Sequence, residues 1–426
     1  MIQTQTEKPL SDEAEMTFGG LGIAPKLLDV ISRLGFKNPT SIQHKAIPVA
    51  IEGKDIIGIA QTGTGKTLAF GIPLVQQILK TGTGKGIIIL PTRELALQVN
   101  ETIQKIGRGF GIRTAVLIGG APIRNQIREI SYNPHVIIGT PGRINDHIQQ
   151  RILSLHDVTI LVLDEADRML DMGFAPQIMK ILQVIPKNRQ TMLFSATMPD
   201  GIVRIASHHM KLPVRVEIAR SGTTAKNIEH ELFVVRKDQK LPLLKKLLGE
   251  YKGSVLIFLR VKHSARKICS SLHDIGISAA EIHSNRSLNQ RKEALEGFKL
   301  GRYRVLAATD IASRGIDVKG IELVINFDLP ENPEDYVHRI GRTGRAGMSG
   351  RAISFAMPDQ GSKVREIEML TRINLPISDM PDISAHLGKS SGGASGFSRD
   401  NYSSHRNRPA RPAGRSGRFG YAKRKY

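Results

Sequence analysis

AQTGTGKT, residues 60–67, follows the apolar run DIIGIA (55–60) and leads into a helical pattern that begins near Lys66. Strand, glycine-bearing turn and helix in that order make a phosphate cradle. Small residues let successive backbone N–H groups curl around phosphate oxygens, and the helix N-terminus adds favourable electrostatics. Lys66 can reach terminal phosphates, and the Thr67 hydroxyl can hold magnesium. Ala60 stands where the strict pattern has glycine, and Gln61, Thr62, Gly63, Thr64 and Gly65 complete the loop. A nearby TGTGKG, residues 81–86, has Gly86 where a hydroxyl residue is required, so it reads as a loop between helix and strand.

Outward from this loop the same style of apolar run recurs. GIIIL (86–90), VIIGT (136–140), ILVLD (160–164) and TMLFSA (191–196) occupy the first half; SVLIFL (254–259), RVLAAT (304–309), LVINFD (323–328) and RAISFA (351–356) occupy the second. They are continuous rather than alternating, as expected of strands covered on both faces in a parallel sheet. Helical patterns such as Gln290 to Leu300 fall between them. Two α/β domains in tandem account for this better than one, since 426 residues exceed the usual span of one core. ILVLDEAD (160–167) is the second nucleotide element. A strand ending in Asp164 puts that carboxylate at the carboxyl edge of the sheet, where ligands of open α/β sheets bind. Asp164 is suited to hold magnesium there, and Glu165 to position the attacking water.

Lys plus Arg number 61 against 39 acids, a net charge of +22. Such a field favours a polyanionic partner, although charge alone equally describes a solvated basic surface. The single cysteine, Cys269, cannot form an internal disulfide; it reads as a buried helix position, and no Cys/His cluster has zinc spacing. Zinc and haem are therefore not expected. The opening MIQTQTEKPLSDEAEM lacks the features of a secretion signal or transit peptide, and no apolar run is long enough to span a membrane. A soluble, cytoplasmic protein is expected. From Gly388 to Tyr426 the composition turns to Gly, Ser, Arg and Pro, with ten Lys/Arg against Asp400, a net +9. This tail is expected to be disordered, its interleaved aromatics able to stack on bases, with a merely solubilising role as the alternative.

The P-loop, DEAD, and SAT at Ser195 to Thr197 resemble the DEAD-box ATP-dependent RNA helicases. So do PTRELALQ (91–98), Gly119-Gly120, TPGR (140–143), TDIASRGID (309–317) and HRIGRTGR (338–345), all in the family's order. Composition and a compact core are closest to the family's bacterial RhlE-like branch. The resemblance implies two RecA-like P-loop domains with parallel sheets, ATP and Mg2+ as ligands, and RNA as a largely sequence-independent partner. The implied layout is a flexible segment 1–17, a first domain 18–219, a linker 220–227, a second domain 228–387 and the tail 388–426.

The resemblance also assigns residues. GFKNPTSIQ (35–43) looks like the family's adenine-reading motif, with Gln43 pairing to the base, Phe18 stacking on it and Lys37 nearby. Arg342 and Arg345 are implied at the γ-phosphate, Asp317 at the ribose, and Ser195, Thr197 and His338 in a network coupling the two ligands. RNA is implied to run along Pro91, Thr92, Arg93, Gly120, Thr140, Pro141, Gly142 and Arg143, continuing at Thr309, Asp310 and Arg314. The chain departs from the family at Arg260-Val261 and at Ser284, where Gly is usual after His283. Ser tolerates fewer backbone shapes than Gly, which leaves the RNA contact around residues 283–291 open. Two other readings remain: a DNA helicase, to be separated by its stimulating nucleic acid, and an ATP-gated RNA clamp or scaffold that seldom separates strands and allows protein partners.

Overall fold

The structure is a computed structural model that describes residues 17–60, 63–218, 228–310, 318, 320–344 and 349–383. The expected linker and tail lie outside the described residues, as do all but Thr17 of the expected N-terminal segment and, among the expected site residues, Gln61, Thr62, Arg314, Asp317 and Arg345.

The strands of the first half are β1 (Ile56–Ile59), β2 (Lys85–Ile89), β3 (Thr114–Leu117), β4 (Val136–Gly139), β5 (Val158–Leu163), β6 (Gln190–Ser195) and β7 (Val214–Glu217). Those of the second are β8 (Ile228–Val234), β9 (Val255–Leu259), β10 (Ala279–Ile282), β11 (Val305–Thr309), β12 (Leu323–Asn326) and β13 (Gly350–Ala356). They form two wholly parallel sheets, ordered β3-β4-β2-β5-β6-β1-β7 and β10-β11-β9-β12-β13-β8. Helices cover both faces of the first sheet: Ile56, Ile88, Val162 and Phe194 face one core, while Ile57, Ile87, Leu161 and Leu193 face the other. Two-sided burial is why the central strands carry consecutive apolar residues rather than alternating ones.

Each apolar run quoted above becomes a strand. β3, β7, β8 and β10 escaped that reading, and they are the four sheet edges. An edge strand has a neighbour on one side only and can keep part of its length in water, so TAVL, VRVE and IEHELFV carry polar residues, while the Glu281 of AAEI is buried and paired with Arg286.

Sheet order also sorts the loops at the carboxyl ends of the first-domain strands. β5, β6 and β1 are neighbours and end at DEAD, SAT and the P-loop. β3, β4 and β2 are neighbours and end at Gly119-Gly120, TPGR and PTR. One sheet edge thus carries the expected nucleotide residues side by side, and the expected RNA residues side by side next to them. Cys269 is buried on the helix Lys262–His273, and burial pushes its thiol up to about 12. Among the described residues no helix is long and apolar enough to cross a membrane.

Candidate functional site

The P-loop turns through Gly63 and Gly65, at φ 89° and 90°, a left-handed region that costs other residues strain. Gly65 caps the helix Lys66–Thr81, and a Cβ there would collide with the Gln43 amide. Gln43 itself is 4% exposed; its Nε2 donates to Gly65 O at 3.0 Å, and its Oε1 accepts from Thr40 N at 2.9 Å. The residue expected to read adenine therefore also buttresses the phosphate loop. Phe18, expected to stack on the base, is buried in the first domain's core beside Leu21 and Leu27, and Lys37 is exposed.

Lys66 is buried, with its Nζ 3.7 Å from Asp164 Oδ1 and without a hydrogen-bond partner among the described residues. An orphaned ammonium in a phosphate loop is the group a terminal phosphate would satisfy. Asp164 follows β5 and is 3% exposed; burial pushes its carboxyl up to about 6, against the pull of Lys66 and with the repulsion of Glu165 added. With the partly buried Thr67 hydroxyl, it supplies the hard oxygen donors that magnesium takes alongside water and phosphate. The site fits a metal–triphosphate.

Glu165 sits at φ 53°, left-handed, and its Oε2 accepts from Arg168 Nη1 at 2.9 Å, both side chains buried. Asp167, the last DEAD residue, binds the end of β6: its Oδ2 accepts from Ala196 N at 3.0 Å, Thr197 N at 2.9 Å and Thr197 Oγ1 at 3.1 Å. Its own N–H donates to Ser195 Oγ at 3.2 Å. Sequence reasoning assigned no role to Asp167 or Arg168, although the DEADR string was in view.

The second domain meets this network through the helix Pro333–Ile340. Burial, joined by Arg168 and Arg342, drives the His338 imidazolium pKa down to about 3, against the pull of Asp167 and Glu165. Arg342 is 3% exposed, and its Nε donates to His338 O at 3.2 Å. Arg339 has a different task. It is buried and forks onto Asp310, Nε to Oδ1 at 2.6 Å and Nη2 to Oδ2 at 2.7 Å, while Nη1 reaches Asn326 Oδ1 at 3.1 Å and Asp328 O at 2.6 Å. The Asp310 carboxylate, expected on the RNA track, is thus held by Arg339 next to Thr309, the half-buried end of β11.

On the other side of the sheet edge, Pro91, Thr92, Arg93, Thr140, Gly142 and Arg143 line one cavity of ≈ 350 Å³ with Ser284 and Arg291 of the second domain. Pro141 is buried at the start of the helix Pro141–Gln149. Gly120 has φ 75°, and a Cβ on it would strike the Arg93 guanidinium, so the Gly119-Gly120 pair leaves that cation its seat. Glu94 and Arg291 pair across the cavity at 2.8 Å, with side chains 4% and 8% exposed. Ser284 is not among the described residues with positive φ, so the departure from Gly there entails no left-handed strain.

Residues 40–205 match the family model "DEAD/DEAH box helicase", and residues 239–347 match "Helicase conserved C-terminal domain". The "DEAD-box ATP-dependent RNA helicase CshA" of Bacillus cereus is 43% identical over 373 residues, 87% of this chain and 71% of the relative. The chain belongs to the DEAD-box ATP-dependent RNA helicases. The DEAD-box CshA helicase of Geobacillus kaustophilus is 44% identical over 84% of this chain and 77% of its own length. Among solved structures, S. cerevisiae Dbp5 bound to RNA and ADP BeF3 matches with a TM-score of 0.76 and 31% identity, covering 86% of this chain and 95% of that one. These relatives carry the CshA name, so the expected RhlE-like placement lacks their support.

Proposed function

We propose that this DEAD-box helicase hydrolyses ATP in the cleft between its domains and uses closure of that cleft to bend RNA out of short duplexes. The observation that carries the reading is the shared network at the cleft: His338 of the second domain, whose carbonyl accepts from Arg342, sits within electrostatic reach of Glu165, Asp167 and Arg168 of the first. ATP's phosphates lie in the loop of residues 60–67, with Lys66 neutralising the terminal oxygens and Gln43 supporting both loop and adenine. Thr67 and Asp164 would hold magnesium, which when bound would neutralise developing charge on the phosphates. Glu165 orients the attacking water and draws its proton, while Arg342 stabilises the γ-phosphoryl group as its bond to the leaving oxygen breaks.

Asp167 links DEAD to Ser195 and Thr197, so a change at the phosphates is felt at the end of β6 and at His338. The RNA backbone lies along the cavity at Arg93, Thr140, Gly142 and Arg143; such contacts grip phosphate and sugar without reading sequence. ATP and RNA each favour the closed state, which couples them. Asp317 and Arg345 join the site, and residues 388–426 add a basic arm, in the same proposal. The relatives' name supports a place beside the CshA branch, and a cytoplasmic location belongs to the same reading. Glu165→Gln tests the chemistry: RNA-stimulated hydrolysis should fall on the order of a hundredfold or more while ATP-dependent RNA binding persists. Full stimulation in that variant would remove Glu165 from its role.

A further inference from the structure

The helix Ile123–Ser131 is built against expectation. Ile123 and Ile127 are exposed, and its one fully buried side chain is Gln126, at 2% exposure. A buried carboxamide in place of an apolar contact is costly unless each of its polar atoms is used. Here they are. Nε2 donates to Ile118 O at 3.0 Å and to Ala121 O at 3.3 Å, the carbonyls on either side of Gly119-Gly120. Oε1 meets Nε2 of His147 at 3.2 Å. With both amide hydrogens committed to carbonyls, Oε1 must accept, so the proton of His147 sits on Nε2. His147 is fully buried on the helix Pro141–Gln149, which opens with the TPGR loop. Burial and the nearby Arg143 lower its pKa, keeping the ring neutral and that tautomer available.

We infer that Gln126 and His147 are positioning residues that hold the Gly119-Gly120 and TPGR loops in one fixed register for gripping RNA. Neither touches the cavity at the RNA track; each acts through backbone it holds. Arg143 runs in parallel, its Nη1 3.5 Å from the same Ala121 O, while Arg93 is seated beneath the glycine pair. Two loops that come from neighbouring strands are thereby tied together, with Arg93 of a third lying against them. The inference rests on the RNA-track reading above, but it adds a claim of its own: the register between loops, not just the contacts, sets RNA affinity.

The test uses the full chain, with RNA-stimulated ATPase kinetics and RNA binding in the presence of a non-hydrolysable ATP analogue. Gln126→Glu replaces a donor to two carbonyls with a carboxylate, and His147→Ala removes the donor to Oε1. Each should raise the KM for RNA about tenfold, the scale of one broken buried hydrogen bond. The KM for ATP and kcat at saturating RNA should stay within about twofold. His147→Gln keeps an amide N–H near the Nε2 position and should restore RNA affinity. If Gln126→Glu fails to fold, the two His147 variants decide. Native-like RNA affinity in His147→Ala overturns the inference, as does a parallel loss in the ATP parameters, which would mark a general packing role. Arg143→Ala separates this from the parent reading. If Arg143→Ala leaves RNA affinity intact, the RNA track itself is wrong; if it weakens RNA binding while both positioning variants do not, only the register claim falls.

Discussion

Asp164→Asn should make the nucleotide-free protein more stable at neutral pH while abolishing its hydrolysis. The side chain is 3% exposed, and its carboxyl titrates at about 6 against a reference of 3.8. That is a rise of about 2 units, which at 1.36 kcal/mol per unit amounts to roughly 3 kcal/mol. The sign follows from proton counting. Between 3.8 and about 6 the folded protein holds a proton that the unfolded chain has released, so stability declines as pH rises through that window and stays low above it. Asparagine mimics the protonated acid and still accepts from Glu165 N, a bond of 2.9 Å here. Thermal unfolding without nucleotide should therefore show the variant ahead by several degrees at about pH 7.5, at roughly 2–4 °C per kcal/mol for domains of this size. Below the reference value the two proteins should converge. A variant that melts at or below the native protein at neutral pH, or one whose advantage does not change with pH, would refute the claim that burial holds the Asp164 carboxylate at a cost to stability.

Other changes probe other links. Glu94→Gln or Arg291→Met leaves one buried charge alone, a loss on the order of 3–5 kcal/mol, and the double variant should recover part of it; a strictly additive cycle in unfolding free energy would show the pair to be idle. Gly350→Ala places a methyl group against Gly344 N and Thr343 Oγ1, so it should displace the loop carrying Arg342 and lower kcat more than it raises the KM for RNA; equal effects on both would contradict this. Removing residues 388–426 takes away nine net positive charges and should weaken RNA binding and flatten its salt dependence, with an unchanged slope in a salt titration as the refuting result.

The buried strands were legible because two-sided burial writes itself into consecutive residues. The edges were not, because the exposed Arg215 in β7 is allowed by what is missing beside the strand, and Glu281 in β10 by the Arg286 and His283 that meet it, and both are facts of the folded chain. The candidate site divides in the same way. Lys66, Thr67, Asp164 and Glu165 belong to short segments that carry their own geometry, a turn into a helix or a strand into a turn. Arg339 and Arg342 look alike within HRIGRTGR, yet one is consumed by Asp310 and the other lies by His338; helical phase and the approach of β11 separate them. Gln43 looked free to read a base, and only the folded chain brings Gly65 O to its amide.

From the residues in order came the phosphate loop, the acid after β5, the parallel core strands and the basic charge, since each depends on neighbours along the chain. Which loops stand next to which, and hence the union of DEAD with SAT through Asp167 and of Gly119-Gly120 with TPGR through Gln126 and His147, was decided by the strand order β3-β4-β2-β5-β6-β1-β7. Hydrogen bonds act over about 3 Å, and only packing brings atoms from distant stretches of chain that close.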